Sequence, residues 1–223
     1  MCFSAGASFT SGVVLTVIGI ACLKKSQHPS QQLFASIPLF FGIQQFTEGI
    51  LWITIPDPDH LIAEKIFTYL FLIFAQILWP FWIPLSVLML EKNERRKKIH
   101  KALLAAGIMV SIYMAYCLLS YNVKAKIEGH HIRYVQDYPS IFRGYGTVLY
   151  ALATIAPAFF STIRRIWIFG TAIVISYGVS ALFYEHYVLS VWCFFSAIIS
   201  ISIYLIMRDI TVYEKRKINV GAS

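Results

Sequence analysis

The stretch LFASIPLFFGIQQFTEGILWITI, residues 33–55, decides how the chain is read. Its only charge is Glu48, and its other polar residues are Ser36, Gln44, Gln45, Thr47 and Thr54. About 20 predominantly apolar residues suffice for a helix to cross a bilayer, so the segment reads as a transmembrane helix carrying one acid. Working outward, comparable stretches occupy 5–23, 66–90, 102–120, 141–162, 166–184 and 188–207. With 58% hydrophobic and 13% charged residues, the composition is far from that of a soluble domain. The expectation is an all-α membrane protein with seven transmembrane helices. Short connections leave 1–223 as one domain.

Basic residues set the orientation. Lys24, Lys25, Lys92, Arg95, Arg96, Lys97, Lys98, Lys101, Arg164, Arg165, Arg208, Lys215, Arg216 and Lys217 fall in alternate loops and the tail, 14 of the 19 Lys and Arg. The positive-inside rule therefore predicts the N-terminus outside and the C-terminus cytoplasmic. The net charge of +8 is then a matter of topology and anionic-lipid contact, and nucleic acid is not an expected partner. The partner that the reading implies is the lipid bilayer, with a lipid or small molecule as the candidate ligand. The first apolar run has no charged segment before it, and its Lys pair follows it, so it reads as a helix rather than a cleaved signal. Gly19-Ile20-Ala21-Cys22 resembles a lipoprotein cleavage box only faintly, because Gly19 stands where a larger aliphatic residue belongs.

Helix 2 should stop at Ile55, where Pro56-Asp57-Pro58-Asp59 forces a turn. Trp79-Pro80 and Pro84 each remove a backbone donor from the third span, so a bend is expected there. Glu91 to Lys101 reads as a solvated charged loop. The only sizeable outer loop, 121–139, alternates on both sides of Glu128-Gly129-His130-His131, the pattern of a small β-hairpin resting on the helix ends. Gly12, Gly19, Ser196 and Ser200 are small enough to allow close helix packing. Neither an internal repeat nor a Walker or dinucleotide motif is present, and there is no arginine ladder.

Glu48 is the residue that most needs explaining. An acid about 10 Å below a helix end is costly in a bilayer, so it should face the bundle and have partners. Gln44, Gln45 and Trp52 lie on the same side of its helix, and Gln76 and Trp79 approach from the third span. The carboxyl either serves a ligand or a proton, or staples helices together. Arg143, at the mouth of the fifth span, either snorkels to the headgroups or turns inward as a counter-charge. These residues, with Trp192 and Cys193, form the candidate pocket.

His130, His131, His186, Cys2 and Glu185 supply N, S and O donors for a divalent metal such as zinc, although no HxxxH, HExxH or CxxC spacing is present. Removal of Met1 would give Cys2 a free amine beside its thiol, while a short packed leader is the plainer role. Four cysteines do not make a disulfide scaffold; bridges from Cys2 to Cys117 or Cys193 are open in an oxidising compartment, and buried thiols are the alternative.

Met1-Cys2-Phe3-Ser4-Ala5, Gln44-Gln45-Phe46-Thr47-Glu48-Gly49, Trp79-Pro80, Gly129-His130-His131 and Ser190-Val191-Trp192-Cys193-Phe194-Phe195 together resemble a bacterial family of multi-pass proteins that begin MCFSA and carry a domain of unknown function. The resemblance implies a bacterial inner-membrane protein and brings no mechanism. In helix number and topology the chain is similar to the alkaline ceramidase and adiponectin-receptor superfamily, but it lacks that superfamily's Ser-x-x-x-His and paired-His elements. Three functions follow as expectations. The first is binding or sensing of a small molecule, lipid or metal in an outward-facing pocket. The others are metal-dependent lipid hydrolysis with Glu48 as base and proton-coupled transport through Glu48. On the first of these, Glu48→Gln should change occupancy and Glu91→Gln should not.

Overall fold

The computed structural model describes residues 4–139, 141–183 and 195–221, with the backbone alone at 141–145, 181, 183 and 215–221. Helix α1 (Ala5–Lys25) starts at the Ser4 cap, whose hydroxyl accepts from the Ala7 amide. A short α2 (Pro29–Ala35) leads into α3 (Ile37–Thr54). The predicted span 33–55 is thus interrupted at Ser36, because Pro38 has no N–H with which to continue the ladder. At its far end the Asp57 carboxylate closes the expected turn, accepting from the Asp59 amide at 2.9 Å and lying 2.8 Å from His60 Nδ1.

Residues 58–90 form one long rod with an irregular middle. A 3-10 turn (Pro58–His60) precedes α4 (Leu61–Leu72), a π-helical stretch (Ile73–Leu78) follows, and α5 (Trp79–Leu90) completes it. The bend expected at Trp79-Pro80 is realised as this π-helical turn. Pro80 offers no N–H to the carbonyl of Ala75, one π-turn back, and the Tyr150 hydroxyl donates there instead at 2.7 Å. Ser111 Oγ donates to the Ile77 carbonyl, also at 2.7 Å. Tyr150→Phe should therefore leave a buried carbonyl without a donor and cost about 1–2 kcal/mol, read as a lower melting temperature in mild detergent. Unchanged melting would show that another donor reaches Ala75.

Helix α6 (Glu94–Ser120) returns along α5 and begins eight residues before the predicted span. The supposed loop 91–101 is thus mostly helix. Asn93 caps it, accepting from the Arg95 and Arg96 amides at 3.0 and 3.2 Å. Strands β1 (Val123–Glu128) and β2 (His131–Gln136) form the expected antiparallel hairpin, with Glu128 opposite His131. Gly129, at φ +62°, supplies the left-handed residue that a two-residue hairpin turn requires. The hairpin is anchored, as a lone pair of strands must be. Ile132 and Ala125 are buried with Leu51, Phe71 and Leu118, and Tyr134 stacks on Phe71 with centroids 4.6 Å apart. Helices α7 (Ile141–Phe160), α8 (Ile166–Phe183) and α9 (Ser196–Gly221) complete the described chain.

A second core joins α1, α2, α5, α8 and α9 through Leu15, Phe34, Val87, Phe169 and Ile203. Helix α1 crosses α3 closely. An added Cβ at Gly19 would lie 2.7 Å from the Leu39 amide nitrogen. Ser196 and Ser200 are buried on α9, as their small size suggested.

Beside these apolar cores, several polar side chains of the helices turn inward, and many apolar ones face outward. Ser8, Gln44, Gln45, Glu48, Gln76 and Ser200 are buried, while Val17, Ile62 and Met109 are 62%, 79% and 64% exposed. Among the described residues, four helical stretches are long and apolar enough to cross a membrane: Ala5–Lys25, Pro58–Leu90, Glu94–Ser120 and Ser196–Glu214. Helix α3 has 18 residues, but Gln44, Gln45 and Glu48 dilute its apolar character.

Candidate functional site

Helix periodicity places Gln44, Gln45 and Glu48 within one turn of α3, and all three are buried, Glu48 completely. Gln45 Nε2 donates to Glu48 Oε2 at 3.5 Å, a long bond. Gln44 Oε1 accepts from Trp79 Nε1 at 3.1 Å, and the Trp79 ring leans on Phe41 with centroids 4.2 Å apart. Gln76, one turn before Trp79, faces the hairpin. Its Nε2 donates to Gln136 Oε1 at 3.0 Å, and its Oε1 accepts from the Tyr138 hydroxyl at 3.3 Å. One turn of an irregular helix therefore joins the hairpin on one side and α3 on the other.

Trp52 lies elsewhere, in the apolar cluster beneath the hairpin with Leu51 and Phe71. His130 is exposed at the hairpin tip, while His131 is half-buried on β2. Burial, and then the neighbouring His130, lower the His131 imidazole from its ordinary value. Cys2, Glu185, His186, Trp192 and Cys193 lie outside the described residues, and the side chain of Arg143 does as well. Cys117 is a buried free thiol, as is Cys22. Among the described residues no three of His, Cys, Asp and Glu gather into a metal set. The metal reading then depends on residues not described.

The described part of the candidate pocket is closed. Gln44, Gln45, Glu48, Gln76 and Trp79 are all nearly inaccessible, so the polar cluster is closed over rather than lining a cleft. Two grooves do occur, one along α7 at Val148, Leu152 and Phe159 and one along α4 at Ile62, Ile66 and Ile73. Both lie on outward apolar faces, and neither is lined by Glu48.

At the opposite end of the molecule sits a site that the sequence did not announce. Glu91 follows α5 directly and is buried. Its Oε1 accepts from the Lys92 and Asn93 amides, both at 3.0 Å, and from the Thr162 hydroxyl. Its Oε2 accepts from the Thr162 amide at 2.8 Å and from Ser161 Oγ at 3.2 Å. His100 Nε2 stands 3.8 Å away, and neither ring nitrogen of this buried histidine has a hydrogen-bond partner among the described residues. Glu91 is therefore not the solvated loop residue expected. Burial pushes its carboxyl up, but the hydrogen bonds from Thr162, Asn93 and Ser161 outweigh this and bring it down to about 2.

The profile of a family of unknown function, DUF6629, matches residues 1–217. The chain belongs to DUF6629. A family of unknown function is also what the motif resemblance implied. No curated protein and no solved structure matches this DUF6629 chain. The buried α3 cluster, its ties to the π-helical turn and the Glu91 cage are what the DUF6629 fold offers to a functional argument. Gln136, Tyr138, Tyr150 and Ser111 complete the outer network, and each is an ordinary loop or helix residue in the sequence. The one available signal was Pro80, whose missing donor leaves a carbonyl of the preceding turn to be met from elsewhere.

Proposed function

We propose that this DUF6629 protein is a seven-span protein of the bacterial inner membrane, with its N-terminus outside. In this reading the cluster around Glu48, beneath the hairpin, binds or senses a small molecule or lipid. The observation that carries the proposal is the fully buried Glu48 carboxyl, held beside Gln45 in a molecule whose outer helix faces are apolar. Intramembrane acids are costly and tend to be retained for function. Apolar exteriors with polar side chains turned inward are what lipid as solvent favours. The charge bias of the loops supports the orientation. The closed cluster implies that a ligand enters by displacing side chains, with the hairpin link through Gln136 and Gln76 as the nearest element able to give way.

Glu48→Gln tests this reading. Hydrogen bonds to a charged group contribute about 1.5–3 kcal/mol, so the variant should bind at least about tenfold more weakly. The readout is ligand retained from a total lipid and metabolite extract, followed by native mass spectrometry in mild detergent. Glu94→Gln is the proper control, because Glu94 is exposed and Glu91 is not. Equal retention by wild type, Glu48→Gln and Glu94→Gln would remove Glu48 from the site.

A further inference from the structure

The charge asymmetry is sharper than the loop bias alone conveys. Among the described residues, the end of the molecule bearing the start of α6 holds fourteen Lys and Arg against four acids, and the hairpin end holds five against six. All four acids at the basic end are already committed. Glu91 is enclosed by its five donors. Glu94 pairs with Lys97 at 2.7 Å, and Asp209 pairs with Arg165 at 2.8 Å. Glu214 meets Lys92 and His28 at 3.6 and 3.7 Å and accepts from Gln31 Nε2 at 3.1 Å. Arg95, Arg96, Lys98, Lys101, Arg164 and Arg208 are exposed, and none forms a salt bridge with a carboxylate among the described residues.

These cations belong to one surface. Glu91 ties the α5–α6 turn to Thr162 in the α7–α8 turn. Arg165 ties that turn to α9, and Thr211 of α9 donates to the Lys25 carbonyl at the end of α1 at 3.0 Å. Four of the unpaired cations sit in the first two turns of α6, where the helix dipole disfavours positive charge. Negative charge outside the chain would offset that cost. On the same helix Ile99 is exposed beside them, and Met109 and Ile112 expose apolar surface about 15–20 Å further along. The basic turns therefore border an apolar outer face, the level at which headgroup phosphates lie.

We infer that the cations at the start of α6, with Arg164 and Arg208, form a binding surface for the phosphate groups of anionic phospholipids on the cytoplasmic side. The inference rests on the membrane reading above. Each basic residue near an anionic leaflet adds to attraction, which salt screens.

The test uses the full chain reconstituted into vesicles of phosphatidylcholine with or without phosphatidylglycerol, followed by native mass spectrometry of the lipids it retains. Wild type should keep phosphatidylglycerol at least about fivefold over phosphatidylcholine, and about 0.5 M salt should abolish most of that preference. A variant combining Arg95→Gln, Arg96→Gln, Lys98→Gln and Lys101→Gln should lose it. Because those charges also guide insertion, Arg164→Gln with Arg208→Gln provides an independent variant that should lose part of it. Equal retention of the two lipids by wild type, or full preference in both variants, overturns the inference. Displacement of the lipid by millimolar inorganic phosphate, or a stronger preference for duplex DNA, overturns it as well. Extraction of the chain from vesicles by alkaline carbonate would instead show that the membrane reading had failed.

Discussion

Glu91→Gln lowers the melting temperature of the detergent-purified protein, with a loss of about 3 kcal/mol expected for breaking a buried, fully bonded charge site. The effect comes from geometry rather than from charge alone. Two carboxylate oxygens take five donors from the α5–α6 and α7–α8 turns. A glutamine amide keeps one acceptor and turns a donor toward groups that can only donate or already do. Burial then makes the mismatch costly. Glu94→Gln, at the exposed first residue of α6, should leave melting nearly where it was.

Acid titration gives a second reading of the same contact. The folded carboxyl titrates near 2, below the ordinary glutamate value of about 4.3. A depressed folded pKa adds stability that is fully present above about pH 5 and lost as pH falls towards 2. Wild type should therefore lose melting temperature more steeply than Glu91→Gln across that window. Parallel acid profiles, or equal melting at neutral pH, would dismiss the cage as a source of stability.

Gly107→Ala is the other large effect. The carbonyl of Pro80 lacks its helical donor because Pro84, four residues on, has no N–H. Helix α6 fills the space with Gly107. A Cβ there would lie 1.9 Å from Pro80 O and 2.9 Å from its carbonyl carbon. Both are backbone atoms, so no rotamer relieves the clash, and α5 and α6 must separate. A loss of about 3 kcal/mol is expected, at the upper end of overpacking costs, with poor recovery of monodisperse protein on size exclusion. Gly178→Ala in α8 is the contrast, since its Cβ would meet nothing within 4 Å. That change should be neutral or stabilising, because alanine favours helix over glycine. Equal yield and melting for the two alanine variants would show that the α5–α6 approach is not as tight as described.

The helical segments and the hairpin were legible because hydrophobic runs, Pro-Asp punctuation and strict alternation are local signals. Helix α6 was placed too short, since Glu94 to Lys101 is charged and periodicity alone treats such a stretch as solvated. Glu91 and His100 were misread for the same reason. Glu91 meets Ser161 and Thr162, some seventy residues away, and nothing local announces that meeting. Glu48, Gln44, Gln45, Gln76 and Trp79 stood out as polar or bulky residues in apolar runs. Which of them touch depends on the π-helical turn, which shifts the phase of residues 73–78 and turns Gln76 to the hairpin and Trp79 to Gln44.

The same turn has a mechanical consequence. Two of its carbonyls accept from neighbouring helices, Ile77 from Ser111 of α6 and Ala75 from Tyr150 of α7, so its shape is held by its neighbours as well as by its own ladder. A pull on Gln76 from the hairpin loads those two hydroxyl contacts together with the Trp79 link to α3. The turn works as a shared joint: the rod above it and the rod below it can change angle only if three other helices register the change.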